Sequence, residues 1–222
     1  MVRLLFRMWG DRMKIRQLNI MSIDFSSPKM YKLSGRAKEI LQSEKIYRFS
    51  SLLTCDDVSY DVVLAQGENV KEQLKNVKAL FSYNKIGEDQ GSALMYLSPN
   101  LDVDDVYVSS QSASSTISFG DSYVDLFSVY LKTQDDLNHF FNQYGKNHGD
   151  CVIGGVFPSE DAIQSFSSEI KVGDVVSYPY VFSGNVYRVF STKSLSAQGH
   201  YLFDGYFNGL SLHPTAVCKV KK

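Results

Sequence analysis

One thiol and two imidazoles are the side chains in this 222-residue chain that are best suited to covalent chemistry. Cys151 follows Asp150, and His200 and His213 lie further along the chain. A cysteine attacks well only as a thiolate, which needs a nearby histidine or another positive group, and a third polar group usually orients that histidine. A hairpin in the strands that carry His200 and His213 would bring both rings to one end of a sheet. These three residues form the candidate catalytic set of a cysteine-dependent hydrolase.

Short motifs around this set resemble the bacterial cell-wall cysteine amidases and peptidases with a papain-like core. They follow that family's order along residues 150–213: Asp150-Cys151, Gly173-Asp174, Gly199-His200 and Leu212-His213. The resemblance implies amidase or peptidase activity, with the cysteine at the start of a helix. Cys151 instead opens an apolar segment with the character of a strand, where a free cysteine is usually a small buried hydrophobe. We therefore prefer packing as the role of Cys151.

A second enzymatic alternative is ADP-ribosyl transfer, since an arginine can hold a dinucleotide phosphate by bidentate contacts. Tyr47-Arg48 and Tyr187-Arg188 offer such an arginine, and residues 190–194 resemble the serine-threonine strand of ADP-ribosylating toxins. That family also needs a downstream Glu-x-Glu or Gln-x-Glu motif, whereas Gln42-Ser-Glu44, the one match, lies upstream. The missing acid makes this the least favoured alternative.

Metal and cofactor motifs are absent from the sequence. There is no glycine-rich phosphate loop and no Cys-x-x-Cys pair, and the four histidines lack helix-ligand spacing, so we expect neither a metal nor a cofactor. Three cysteines, Cys55, Cys151 and Cys218, suit a reducing compartment and predict a cytoplasmic location. No run approaches about 18 apolar residues, so no membrane span is expected.

The charge balance favours contact with another protein over contact with nucleic acid. Lys and Arg number 23 against 24 Asp and Glu, whereas nucleic-acid-binding chains are usually clearly basic. Residues 101–136 carry seven acids and one lysine, which is a possible docking surface for a basic partner. Tyrosines crowd the last third of the chain: Tyr178, Tyr180, Tyr187, Tyr201 and Tyr206. The leading hypothesis is therefore an inhibitor-type, protein-binding protein, with its oligomeric state open.

Hydrophobic periodicity predicts a coarse secondary structure. Helices are expected at 35–43, 68–82, 134–144 and 159–166, and Ser34, Thr133 and Ser159 are the expected N-terminal caps. Strands are expected at 46–53, 58–64, 93–97, 106–108, 123–132, 151–157, 173–182, 185–191, 200–207 and 216–220. Because the strands occur in runs, the fold class predicted is α+β, with a largely antiparallel sheet, three to four short helices and a β-rich C-terminal half.

The domain organisation is less determined by the sequence. Residues 1–20 are basic and interleaved with apolar side chains, which indicates a tail or a non-native start. The serine-rich segment 109–116 is typical of a flexible linker. It would separate an N-terminal α/β region, 21–108, from a β-rich region, 117–222. One continuous domain is the alternative.

Overall fold

The computed structural model describes residues 15–25, 35–55, 59–144, 149–177, 185–201, 205–207, 210–212 and 215–222. The first seven strands are β1 (Gln17–Asp24), β2 (Val62–Gln66), β3 (Asn84–Ile86), β4 (Ala93–Leu97), β5 (Val103–Val108), β6 (Ser112–Phe119) and β7 (Ser122–Tyr130). The later strands are β8 (Asp150–Phe157), β9 (Val172–Ser177), β10 (Val186–Thr192), β11 (Ser196–Tyr201), β12 (Gly205–Phe207), β13 (Leu210–Leu212) and β14 (Thr215–Lys221). The helices are α1 (Gly35–Leu53), α2 (Val70–Leu74), a 3-10 helix (Lys78–Ser82), α3 (Gln134–Tyr144) and α4 (Glu160–Glu169).

Two six-stranded sheets form the body of the described structure. Their strand orders are β11-β14-β1-β2-β4-β3 and β5-β6-β7-β8-β10-β9, and β12 pairs with β13 in a separate hairpin. At the centre of each sheet is one parallel pair, β1 with β2 and β7 with β8. The other pairings between described strands are antiparallel. Each parallel pair requires a crossover connection, and α1 and α3 lie in those two connections.

The inner faces of the two sheets share one hydrophobic core. Alternate residues of each strand point to this core, because successive side chains of a strand lie on opposite faces. Leu18 and Ile20 of β1 meet Leu126 of β7 and Val152 of β8 in the same cluster, and each is fully buried. The core therefore draws on both halves of the sequence.

The outer face of each sheet is covered by helices. Behind the first sheet, Phe49 of α1 packs edge-on against Phe25, with ring centroids 5.4 Å apart. Behind the second sheet, α3 and α4 bury a group of aromatic rings centred on Phe166, which is fully buried. The burial of apolar area between these layers gives the structure its main stabilisation.

Two helix starts that the sequence predicts are confirmed. The backbone N–H of Asp136 donates to Thr133 Oγ1 (3.1 Å), and the Thr133 N–H donates back to Asp136 Oδ2 (2.9 Å), which is the reciprocal arrangement of a capping box. These hydrogen bonds help to lower the pKa of Asp136, against the opposing effect of burial. The Ser159 side chain accepts from the Ala162 N–H at 3.1 Å, so α4 also has its expected cap.

The region 35–53 differs from its prediction of a short helix followed by a strand. It forms the single 19-residue helix α1. Ile46, Phe49 and Leu53 recur at helical spacing and join the cluster behind the first sheet, so tertiary packing overrides the apparent strand run. The predicted helix 68–82 is instead divided into α2 and the 3-10 helix.

The serine-rich segment does not form the predicted linker. Residues 112–119 form β6, which pairs along its length with β7. Ser112, Ser114 and Ser115 are buried, because a small hydroxyl side chain fits a strand packed on both faces. Low complexity here reflects tight packing rather than flexibility.

The α+β class is confirmed, and both sheets are mixed rather than simply antiparallel. Residues 1–14 of the predicted tail lie outside the described residues. Residues 17–20 of that tail belong to the central strand β1, where Leu18 and Ile20 are fully buried. The C-terminal strand β14 lies between β1 and β11, so the first sheet contains segments from both predicted regions.

Candidate site at the carboxyl ends of the central strands

Inward positions on four strands carry a polar side chain or none at the same level of the two sheets, and on β7 and β8 the apolar core resumes beyond this level at Tyr130 and Val156. In each strand the inward residue two positions earlier is a buried aliphatic side chain of the shared core. We call the set that follows the polar layer: Ser22 on β1, Gln66 on β2, Ser128 on β7 and Gly154 on β8. The layer lies toward the carboxyl ends of the two parallel pairs, where α/β sheets usually place their ligand sites.

The side chain of Gln66 joins the two sheets across this layer. Its Nε2 donates to Ser128 Oγ at 2.8 Å and to the Gly154 carbonyl at 3.2 Å. Gln66 and Ser128 are both fully buried. Buried polar groups are costly unless they are paired, so these bonds fix how the first sheet sits on the second.

Gly154 permits the close approach of the sheets at this point. A Cβ at position 154 would lie 2.7 Å from Ser22 Oγ and 2.8 Å from Leu64 Cδ1. Any side chain there would push β8 away from β1. Two oxygens of the layer, Ser22 Oγ and Gln66 Oε1, are buried and make no hydrogen bond within the described structure.

A buried charge pair lies beside the polar layer. Asp24, the last residue of β1, is 4% exposed and Lys45 of α1 is 5% exposed. Burial lowers the pKa of Lys45 to about 8, and the charge of Asp24 opposes part of this effect. A carboxylate that already faces a buried ammonium is less available to a second cation.

Exposed lysine–carboxylate pairs lie beyond the carboxyl ends of β2 and β7, at an edge of the sheets that we call the mouth of the polar layer. Lys132, just beyond β7, pairs with Glu68, just beyond β2, and so bridges the two sheets. The Lys132 ammonium also lies 5.1 Å from the centroid of the Tyr130 ring. Lys71 pairs with Asp89 in a neighbouring loop. Exposed pairs of this kind exchange partners at little cost.

The structure places Cys151 away from this mouth, near the amino end of β8. Its side chain is 1% exposed and belongs to the cluster beneath α3 and α4. Burial raises the pKa of the Cys151 thiol to about 12, and the carboxylates of Asp125 and Asp150 add to the increase. Both effects favour the thiol over the thiolate that a nucleophile requires.

Of the two histidines in the candidate catalytic set, His200 lies among the described residues and His213 does not. His200 is exposed on β11 of the first sheet, whereas Cys151 faces the helices of the second sheet. The structure does not bring these two side chains together. His213 lies outside the described residues, so its grouping with Cys151 stays a prediction.

The arginines of the ADP-ribosyl transfer alternative are both engaged with carboxylates. Arg48 Nε donates to Glu44 Oε1 at 2.7 Å within α1, and Glu44 belongs to the Gln-x-Glu match. Arg188 Nη2 donates to Glu160 Oε1 at 2.6 Å and is 8% exposed. Burial leaves Arg188 no open phosphate site, and Arg48 is paired within its own helix.

The surfaces predicted to bind a protein partner also have structural roles. Within 101–136, Asp136 caps α3 and Asp125 accepts from Thr116 Oγ1 at 2.6 Å. Tyr187 is 5% exposed in the shared core. The other C-terminal tyrosine side chains, those of residues 178, 180, 201 and 206, lie outside the described part.

Comparison with solved structures identifies the fold. Humanized D. rerio TDP2 matches with a TM-score of 0.63 at 14% identity, over 93% of this chain and 99% of that chain. An endonuclease/exonuclease/phosphatase from Bacteroides vulgatus matches with a TM-score of 0.64 at 10% identity, over 92% and 98% of the two chains. D. rerio TDP2 complexed with single strand DNA product matches with a TM-score of 0.59 at 14% identity, over 93% and 99%. No family model and no curated protein matches the sequence.

These comparisons correct the leading functional hypothesis. The structures that share this fold are TDP2 and endonuclease/exonuclease/phosphatase proteins. The prediction of an inhibitor-type protein-binding function is therefore wrong. The exclusion of nucleic acid as a partner is wrong too, since a fold neighbour is complexed with DNA. A near-zero net charge is a whole-chain average, which does not describe a local site.

Nucleases and phosphatases often use divalent cations, held mainly by carboxylates. The residues of the polar layer do not fit such a cation. Ser22, Gln66 and Ser128 are neutral, Gly154 has no side chain and no room for one, and Asp24 faces Lys45. Among the described residues, no group of three His, Cys, Asp or Glu side chains could hold a metal ion.

Sequence reasoning missed the polar layer, although a signal for it was present. The strands around Ser22, Gln66 and Ser128 each change from apolar to polar at an inward position near their carboxyl end. Comparing the strands with one another would align these changes at one edge.

No helix in the described part of the chain is long and apolar enough to cross a membrane.

Proposed function

We propose that this chain binds the phosphodiester backbone of single-stranded nucleic acid at the mouth of the polar layer. The observation that supports this most strongly is the match over 93% of the chain to the TDP2 structure that contains a single strand DNA product. The likeness extends to nearly the whole of that neighbour, 99% of its chain. A shared fold does not determine function by itself, so the argument also needs the local groups.

The lysines around the mouth are the groups that would meet the phosphates. Lys132 and Lys71 each pair with an exposed carboxylate, Glu68 and Asp89. A phosphodiester can replace these carboxylates, because both are exposed and the pairs are weak. Lysine contacts of this kind position a nucleic acid without reading its sequence.

Fluorescence anisotropy with a labelled single-stranded DNA oligonucleotide tests this proposal. Removing one phosphate contact should lower the slope of log K against log salt by about 0.7. We expect Lys132→Ala to weaken binding and lower the slope by this amount. Lys219→Ala is the matched control, since Lys219 is exposed on β14 opposite Asn19, near the amino end of β1. Equal binding by the two variants, or no binding by the unmodified chain at low salt, would reject the proposal.

Hydrolysis of the phosphodiester is the second candidate function. The names of the fold neighbours favour it, since they describe endonucleases, exonucleases and phosphatases. The neutral polar layer favours binding without cleavage. Incubating the same oligonucleotide with the chain and resolving the products on a gel separates the two. Shortened products that scale with protein concentration would establish hydrolysis.

Three predictions from the sequence stand as proposals beside this one. The rate of thiol labelling tests the cysteine set of Cys151, His200 and His213. If Cys151 is a nucleophile, it should be labelled faster than the exposed Cys55. The cytoplasmic location is supported by three free cysteines. The division into 21–108 and 117–222 is tested by expressing each part alone.

A further inference from the structure

The polar layer lies toward the carboxyl ends of the two parallel pairs, where α/β sheets usually place their ligands. It is nonetheless bonded within the protein: Gln66 donates to Ser128 Oγ at 2.8 Å and to the Gly154 carbonyl at 3.2 Å. Ser128 Oγ lies 3.4 Å from the Ala65 carbonyl, a further link between the sheets. The amide therefore ties β2 to both strands of the second parallel pair.

Space and charge at this point also disfavour a bound cation. Position 154 cannot carry a ligand side chain, because its Cβ would lie 2.7 Å from Ser22 Oγ. The carboxylate that follows Ser22 on the same strand, Asp24, faces the buried ammonium of Lys45. A positive charge thus already lies where a divalent cation would have to compete with it.

We propose that the polar layer is a cation-free lock, in which the Gln66 amide holds the two sheets together and the described residues bind no Mg²⁺ or Mn²⁺. The lock acts as a structural cross-link between β2 of the first sheet and β7 and β8 of the second. Nucleic acid that binds at the mouth is then held independently of divalent cations. This last consequence rests on the proposed function, whereas the lock itself does not.

The lock is tested with the full chain after treatment with EDTA. Titration with Mn²⁺ by calorimetry should give no saturable heat, and Mn²⁺ or Mg²⁺ at millimolar concentration should leave Tm unchanged. Gln66→Met keeps the volume and removes the donor, so Tm should fall by about 4–8 °C on removal of two buried hydrogen bonds. Hydrogen exchange should become faster in both β2 and β8.

Gln73→Ala is the matched control for this variant. The Gln73 side chain donates to the Glu68 carbonyl at 2.7 Å, within a single exposed turn. Its removal should leave exchange in β8 unchanged. A Tm that rises with Mn²⁺ and loses this response in Gln66→Met would overturn the proposal, and so would unchanged exchange in Gln66→Met.

A measurement of DNA binding with and without divalent cations separates the two proposals. Anisotropy measured in EDTA and in Mg²⁺ should give equal affinity. Binding that requires Mg²⁺ contradicts the lock but retains the proposed function. An absence of DNA binding, together with Mn²⁺-independent Tm and faster exchange in Gln66→Met, rejects the proposed function and supports the lock.

Discussion

The β1–α1–β2 unit and the β7–α3–β8 unit share a connectivity but cover their outer faces differently. Behind the second sheet, Phe166 contacts four other described rings with centroid distances of 5.0 to 6.2 Å. Behind the first sheet, Phe49 contacts Phe25, and the rest of that face is largely aliphatic. The second unit has an aromatic core, whereas the first depends more on the length of α1.

The inner faces of the two units are complementary rather than equivalent. The first contributes the long side chain of Gln66, and the second contributes a hydroxyl at Ser128 and a bare carbonyl at Gly154. One unit therefore donates from a long side chain and the other accepts with short groups. A site between two similar units needs this asymmetry, because two long side chains would not fit and two short ones would not meet.

The largest effect is expected from removing the central ring of the aromatic core. Phe166→Ala should lower the free energy of unfolding by about 4–5 kcal/mol, because truncating a fully buried phenylalanine leaves a large cavity. Phe49→Ala, its counterpart in the first unit, should cost about 3 kcal/mol. Urea denaturation followed by circular dichroism measures both. A larger destabilisation by Phe49→Ala would contradict the comparison.

The buried ammonium of Lys45 gives the first unit a pH response that has no counterpart among the described lysines of the second unit. Its folded pKa of about 8 lies below the ordinary value of 10.5. The unfolded chain therefore binds more protons between these values, and the stability that this group contributes rises with pH. The contribution should grow by about 2 kcal/mol between pH 7 and pH 10.

Lys45→Met isolates this contribution from other groups that titrate in the same range. The thiols of Cys151 and Cys218, whose pKa burial raises to about 12, oppose it, because their contribution to stability decreases above about pH 9. They are present in both proteins and cancel in the difference. A stability difference between Lys45→Met and the unmodified chain that stays constant from pH 7 to pH 10 would show that Lys45 titrates normally.

Gly154→Ala tests how closely the two units approach. The added methyl should cost about 1–3 kcal/mol, since overpacking a close contact moves the backbone. Ser22→Ala alone should cost little, because Ser22 Oγ makes no hydrogen bond in the described structure. In urea denaturation, the double variant should recover about 1 kcal/mol of the destabilisation if the two positions are coupled. If the effects of the two single substitutions simply add, the strain in Gly154→Ala does not come from its contact with Ser22.

The smallest effect is expected at the surface bridge between the units. Lys132 and Glu68 are both exposed, so a double-mutant cycle with alanine should give a coupling of about 0.2–1 kcal/mol that decreases with salt. Thermal unfolding at low and high ionic strength measures it. A coupling that salt leaves unchanged would indicate a desolvated pair.

The sequence determines local features more fully than the way in which they combine. The capping box at Thr133 and Asp136 is predictable because all its contacts lie within four residues. Residues 46–53 are not, because the apolar positions fit either a strand or a helix until packing against Phe25 decides between them. The serines of β6 have the composition of a flexible segment, since their burial depends on strands far along the chain.

The candidate site is predictable only in part for the same reason. The chemistry of Cys151 suggests a nucleophile, yet its surroundings are set by α3 and α4 and keep the thiol buried. Gln66 carries no motif, and its partner Ser128 is 62 positions away. A neutral amide gains its role only when the fold brings a hydroxyl and a carbonyl to it.

The placement of β14 between β1 and β11 has a consequence for the order of assembly. The second sheet uses strands from residues 103–192, so it can form from one continuous stretch of nascent chain. The first sheet pairs Gln17 with Lys221, which joins the earliest described strand to the latest. Closing so long a loop is slow, and until translation reaches β14 the edge of β1 stays open to aggregation or to a chaperone.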